Sequence, residues 1–333
     1  MLVGPSVSLP VDRFVAGFDF DGPQPPLMRV KPSRSSRREF LQASAALAAG
    51  AILLPSASPV FAQSAAGEAS GPAGKGRIFK AVKWGMIDVE GSVLDKFRLQ
   101  KELGYDGMEL VGPSLLPAEE VRRATDETGM PVHGLVNEKH WEIRLSSPDP
   151  TVREQGVAHL EQCLREAKAF GGSSVLLVPG RVSGPEETHD HVWQRSIVEI
   201  RKVLPLASKL GVRVLIENVW NGFCESPEQF RDYLDEIDSP WVGAYFDIGN
   251  CRKFGPSEAW VRTLGSRIVK LDCKDWGDTE KFCKIGDGDV DWPAVRQALS
   301  DIGFSGWCTA EVAGGDRDVL ADIGQRMDRV LRL

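Results

Sequence analysis

From Phe79 onward the chain alternates eight times between a short apolar run and a longer amphipathic stretch, and few architectures accommodate that alternation. The runs are Ala81–Ile87, Gly107–Val111, Val132–Val136, Ser174–Pro179, Val212–Val219, Gly243–Ile248, Ile268–Lys274 and Trp307–Val312. Several are continuous and rich in Val and Ile rather than alternating with polar residues, as strands buried on both faces must be. Between them the 3.6-residue periodicity predicts helices over 92–103, 117–128, 150–170 and 192–210, each followed by glycine at 104, 129, 171 and 211. Glycine just past a helix end takes up the left-handed conformation without a Cβ clash. The patterns at 227–237, 257–264, 292–302 and 318–331 are periodic with weaker stops. Eight strand–helix units in about 255 residues match an α/β fold of the (β/α)8 TIM-barrel type. The rival, a doubly wound open sheet, usually carries GxGxxG or GxxxxGK[ST] at a strand–helix turn, and neither occurs.

The first sixty residues read differently. Arg37 and Arg38 precede Phe40 and Leu41, an uncharged Ala/Leu-rich run extends from Ala43 to Leu54, and small residues lead to Ala62. A basic segment, an apolar segment and a small-residue cleavage site in that order read as an export signal, and S-R-R-x-F-L resembles the twin-arginine type. Cleavage after Ala62 leaves residues 63–333; Met28 is a plausible start, since it gives a short basic segment. The expected organisation is a signal region over 1–62, a Gly/Ala/Ser-rich flexible linker over 63–77 and a barrel over 78–333. The implied location is periplasmic or extracellular, with the membrane met only transiently during export. With 40 Lys+Arg against 47 Asp+Glu, nucleic acid is not expected as a partner, because phosphate binding needs clustered positive charge. The six cysteines contain no CxxC pair, so the common cysteine-based zinc and redox patterns are missing.

Active sites of TIM barrels lie at the C-terminal ends of the strands. Four carboxylates close four consecutive apolar runs there: Glu217 in VLIE, Asp247 in AYFD, Asp272 in IVKLD and Glu311 in CTAE. Burying one unpaired carboxylate costs several kcal/mol, so four converging ones require a cation. One divalent metal accounts for all four, where four separate caps or ion pairs are otherwise needed.

These segments carry a family resemblance. LIENVWN around Glu217, YFDIGN around Asp247, IVKLDCKD around Asp272, GDGDVDWPAV over 286–295 and TAEV around Glu311 resemble, in order and spacing, the xylose isomerase-like sugar isomerase/epimerase superfamily, and GLVNEKHW and VLLVPG add to the match. The resemblance implies metal ligands Glu217, Asp247, Asp272 and Glu311, with Glu217 and Glu311 also handling the substrate proton. One departure stands out: the common H-x-K-[DE] appears as Asp272-Cys273-Lys274-Asp275, and no histidine follows His191. An all-carboxylate site favours hard Mn2+ or Mg2+ over zinc; a disabled metal site is the alternative.

Substrate contacts are expected from Glu109 ending the second strand, from His133 in the third, and from Asn137 and His140 in the loop after it. Asn250 and Lys274 complete the set; Lys274 shares strand parity with Asp272 and therefore points the same way. Of nine tryptophans, Trp84, Trp141, Trp220 and Trp276 fall at strand ends or in the following loops, where sugar C–H faces could pack, whereas Trp193, Trp260 and Trp307 suit the core. His189 and His191 are read as helix-entry residues. GDGDVD lacks the twelve-residue calcium-loop spacing and is read as a turn.

Removing a proton beside a carbonyl needs a stabilised enediolate, which a chelating divalent ion provides together with flanking carboxylates. The expected function is therefore a metal-dependent isomerase or epimerase of a small carbohydrate, a free sugar or keto-sugar rather than a sugar phosphate. A lyase or dehydratase on the same barrel, acting on an inosose or keto-glycoside, and a non-catalytic carbohydrate-binding relative are the alternatives; homo-oligomerisation is left open. A three-zinc endonuclease would need more histidines than the five present.

Overall fold

The computed structural model describes residues 77–332, so the signal region and nearly all of the linker lie outside the described residues. Eight parallel strands close into a barrel in chain order: β1 (Ile78–Lys83), β2 (Gly107–Gly112), β3 (Val132–Asn137), β4 (Ser174–Leu177), β5 (Arg213–Glu217), β6 (Val242–Asp247), β7 (Ile268–Cys273) and β10 (Gly306–Ala310), which pairs back onto β1. The helices between them are α1 (Val93–Glu102), α2 (Ala118–Thr128), α3 (Pro150–Ala169), α4 (His189–Leu210), α5 (Pro227–Ile237), α6 (Ser257–Leu264), α7 (Trp292–Asp301) and α8 (Arg317–Leu331). The (β/α)8 expectation is met. Among the described residues no helix is long and apolar enough to cross a membrane.

Local chemistry sets the helix boundaries. Ser92 and Asp95 cap α1 reciprocally, and Thr188 and His191 do the same for α4, so His189 and His191 are helix-entry residues, as read. Gly129 and Gly211 close α2 and α4 with φ of 65° and 69°.

The largest boundary difference is at β1, which runs over 78–83 instead of 81–87, with a 3-10 turn over Trp84–Met86. Lys80 breaks the apolar run in sequence, but its side chain faces outward and its Nζ reaches Asp328 of α8 at 2.6 Å, so the strand extends through it.

A second unanticipated feature is a short hairpin after β7, formed by β8 (Asp275–Gly277) and β9 (Lys281–Cys283). Asp275 organises it from a buried position. Its two carboxylate oxygens accept from the backbone N–H of Trp276, Gly286 and Val290 and from the indole of Trp292. In the 286–291 turn Asp287 pairs with Arg326, Asp289 accepts from the Asp278 N–H, and Asp291 caps α7. The turn reading of GDGDVD holds, its acids being spent on protein donors.

Most apolar burial lies between strands and helices; Phe97, Leu160, Ile200, Val261 and Met327 are fully or almost fully buried there. Each such side chain stabilises the fold by about 1.5–3 kcal/mol. The barrel interior holds a much smaller apolar cluster of Leu176, Leu215 and Tyr245. The rest of that interior is polar; Ser174 Oγ and Glu109 Oε2 have no hydrogen-bond partner there, and the other groups form one column. Lys270 Nζ donates to the His133 carbonyl and lies 3.0 Å from His133 Nδ1; with a proton also directed at Nδ1, the column starts there. His133 Nε2 then donates to Thr309 Oγ1 at 3.1 Å, Thr309 to the Tyr245 hydroxyl at 2.7 Å, and Tyr245 to Glu109 Oε1 at 2.9 Å. A buried polar column is tolerable only when each donor finds an acceptor, as here.

Candidate metal centre

Side chains alternate along a strand, so residues two apart share a face. Leu215, Tyr245, Lys270 and Thr309 form an inward layer, and two residues further along come Glu217, Asp247, Asp272 and Glu311. The period-2 rule thus places all four acids in one layer at the C-terminal mouth. Each offers an oxygen, and these four atoms lie within 4.8 Å of one another. Three of the residues are buried and Glu311 is half-buried.

The carboxylates are held by one edge and open on the other. Asp247 Oδ1 accepts the N–H of Gly249 at 2.8 Å and of Asn250 at 2.7 Å, fixing its plane. Its Oδ2 makes no aligned hydrogen bond although Lys274 Nζ stands 3.2 Å away. Asp272 Oδ2 accepts from Lys83 Nζ at 3.1 Å and its Oδ1 has no hydrogen-bond partner. Glu217 Oε1 receives a long 3.4 Å contact from Asn250 Nδ2. Glu311 is held on both oxygens, by Lys83 at 2.8 Å and by Lys274 at 3.0 Å.

Burial pushes the Glu217 and Asp272 carboxyls well above the usual carboxylate range, and Glu311 nearby adds to both. Burial raises Asp247 to about 7. Glu311 goes the other way: burial would raise it, but Lys274 and Lys83 hold it well below. Both lysines stay charged, since the acids outweigh the burial that would strip their protons. With all four carboxylates ionised, the two ammonium groups would offset half of their charge and one divalent cation the remainder, and that cation would also counter the burial that holds Glu217, Asp247 and Asp272 up. Unpartnered buried oxygens, hard donors and this charge balance all fit such an ion.

The expected supporting residues divide. Asn250 and Lys274 join the quartet: Asn250 bridges Glu217 and the Asn218 carbonyl, and Lys274 spans Asp247 and Glu311. Asn137, expected in the loop after the third strand, is instead the last residue of β3, and its Oδ1 accepts the Lys139 N–H, shaping the loop that follows. Glu109 sits beneath the quartet rather than across the mouth, with Oε1 on Tyr245 and Oε2 free of hydrogen bonds, 3.9 Å from Lys83 Nζ. His133 also lies inside the barrel, both ring nitrogens engaged and its ring stacked on Trp307 at 4.7 Å. The expected substrate contact gives way in His133 to a place in the interior column. The sequence reading missed Lys83. It closes β1 at an inward position, two residues after Ala81, and the rule applied to the acids finds it only once the strand is placed at 78–83 instead of 81–87.

His140 is buried beside Trp141, and its Nδ1 accepts the Val178 N–H at 3.4 Å, leaving the proton on Nε2. Burial, with the nearby Lys83 charge, pushes it down to about 3. The unfolded chain takes up a proton there near pH 6.5, so this residue weakens the fold as pH falls below that value. Nitrogen NMR is expected to show His140 neutral with Nε2 protonated from pH 8 to pH 5; a midpoint near 6.5 would contradict the geometry.

Beside the quartet stands an aromatic wall. The Trp220 indole donates to the Asn250 carbonyl at 2.8 Å, and its ring meets Trp276 edge-on at 5.9 Å and Phe282 at 4.7 Å. Lys274 Nζ lies 5.1 Å from the Phe282 ring centre, so wall and acids are contiguous. Trp276 and Phe282 both come from the β8–β9 hairpin that Asp275 organises. Trp84, by contrast, packs against Phe97 and Lys96, away from the acids.

Comparison with known proteins agrees with this architecture. L-ribulose-5-phosphate 3-epimerase UlaE of Shigella flexneri serotype 5b is 25% identical over 226 residues, covering 64% of this chain and 79% of that enzyme. Among solved structures, apo 3-keto-D-glucoside 4-epimerase YcjR from E. coli superposes with a TM-score of 0.66 at 18% identity, over 77% of this chain and 100% of that one. The IolI protein, solved with a bound zinc atom, gives a TM-score of 0.65 at 15% identity, over 76% and 98%. At these identities the structural likenesses speak for the fold. The model of the xylose isomerase-like TIM barrel family matches residues 97–330, and the chain belongs to that family.

Proposed function

We propose that the protein is a divalent-metal-dependent epimerase or isomerase of a free sugar or keto-sugar, exported by the twin-arginine route and working outside the cytoplasm. One observation carries the catalytic part: four carboxylates from consecutive strand ends present oxygens within 4.8 Å of one another, with buried oxygens of Asp247 and Asp272 lacking hydrogen-bond partners. Glu217, Asp247, Asp272 and Glu311 would hold the ion, Mn2+ or Mg2+ by donor hardness. When bound, it supplies a Lewis acid that lowers the cost of charge developing on the substrate oxygens. The named activity of the UlaE relatives, a 3-epimerisation, is the same class of proton transfer.

The chain's own residues supply the rest. Glu217 and Glu311 flank the mouth as the carboxylates that take up and return the substrate proton. Asn250 fixes Glu217, Lys274 fixes Glu311, and Lys274 Nζ also donates to Asn250 Oδ1. His140, neutral with its proton on Nε2, offers a hydrogen bond to a substrate oxygen. Trp220 and Phe282 offer an apolar face to sugar C–H groups. Lys83 and Lys274 are committed to carboxylates, whereas Lys253 and Lys281 lie against the Trp220 and Trp276 rings; a substrate without phosphate is therefore inferred from the export signal.

The test is incubation of the Mn2+-loaded protein with keto-sugars in D2O. Incorporation of solvent deuterium at the carbon beside the carbonyl, with recovery of an epimer or isomer, supports the reading. Product lacking one water identifies a lyase, and bound sugar without exchange identifies a binding protein; either result overturns the proposal.

A further inference from the structure

The four acids do not meet the solvent side of the barrel unaccompanied. Lys83, at the end of β1, places its Nζ 2.8 Å from Glu311 Oε1, 3.1 Å from Asp272 Oδ2 and 3.9 Å from Glu109 Oε2. Its side chain is only 13% exposed, so water screens these contacts little. Lys274 occupies the other oxygen of Glu311. Each Glu311 oxygen therefore already carries one ammonium group, and a metal arriving between the four acids would share its Glu311 oxygen with a cation of like charge. The two lysines differ in where they can go. Lys274 also has the neutral Asn250 amide oxygen and the Phe282 ring as partners. Lys83 has a third carboxylate, Glu109, which is fully buried and whose Oε2 has no hydrogen-bond partner.

We propose that Lys83 is a built-in counter-cation of the quartet that competes with the divalent ion for Glu311 and withdraws onto Glu109 when the ion binds. The inference rests on the metal-dependent reading of the quartet and deepens it. In the metal-free protein Lys83 keeps the mutually repelling acids together. In the loaded protein Glu109 receives the displaced ammonium, so the buried positive charge never loses a partner. Lys83 thus lowers metal affinity, while Glu109 raises it only through Lys83.

Mn2+ titration of the purified protein, followed by electron paramagnetic resonance, reads this directly. Lys83→Met is expected to bind Mn2+ at least tenfold more tightly than the parent. Without metal it should melt at a lower temperature, and the gap should close at saturating Mn2+ because tighter binding adds more stabilisation. Glu109→Gln is expected to weaken binding severalfold in the parent and to change it little in the Lys83→Met background. A residue acting by its charge alone would weaken binding equally in both, so the double-mutant cycle separates the two cases. If Lys83→Met folds only with metal present, release of Mn2+ to excess chelator should be at least tenfold slower than from the parent. Binding by Lys83→Met no tighter than the parent's, or an equal Glu109→Gln effect in both backgrounds, overturns the role of Lys83. A parent that binds no Mn2+ removes the metal reading beneath it, which is a separate failure.

Discussion

Glu311→Gln is expected to abolish deuterium exchange into the substrate, by about 10³-fold or more, while leaving the barrel folded. The substitution keeps the shape of the side chain and removes its charge. One change therefore takes away an anionic metal ligand, one of the two proton-handling groups and the partner shared by Lys83 and Lys274. Each lysine retains a second carboxylate, Asp272 for Lys83 and Asp247 for Lys274, so the fold should persist. Circular dichroism should match the parent; the exchange rate measured by proton NMR checks the chemistry. Exchange within tenfold of the parent would remove Glu311 from the mechanism.

The largest stability effect is expected away from the acids, at Asp275. Its carboxylate accepts from four N–H donors of the hairpin and the 286–292 segment, and it is fully buried. Asp275→Ala leaves those donors buried without acceptors, at a cost of about 3–5 kcal/mol. At about 2–4 °C per kcal/mol for a chain of this size, Tm should fall by about 10 °C. Because the hairpin carries Trp276 and Phe282, the substrate KM should rise as well. Asp287→Ala removes a partly exposed pair with Arg326 in the same segment and should cost under about 1 kcal/mol. Comparable losses in the two variants would show that Asp275 is not the organiser.

The sequence revealed the architecture because both faces of each barrel strand are buried, which produces continuous apolar runs, and because helix ends are marked by glycine and capping residues. The acid quartet was legible for a related reason. A carboxylate that closes an apolar run has no ordinary place there, and four in succession share one parity. Lys83 went unread because an expected first run over 81–87 puts this lysine inside the strand rather than at its end. The expected barrel already made the first and last strands neighbours; the end of β1 at Lys83 is what brings this lysine to Glu311. His133 failed for a different reason. Nothing in VHGLV says whether an inward histidine faces the mouth or the interior; that depends on Lys270 and Thr309 from distant strands. The β8–β9 hairpin was hidden because its stability comes from one side chain, Asp275, and not from a periodic pattern.

The central claim is that a single divalent ion belongs among Glu217, Asp247, Asp272 and Glu311. Diffraction from crystals grown with Mn2+, recorded at the manganese absorption edge, tests it most directly. The account expects one anomalous peak per chain, lying between those four carboxylates. No peak at millimolar Mn2+, or a peak away from the quartet, would contradict it.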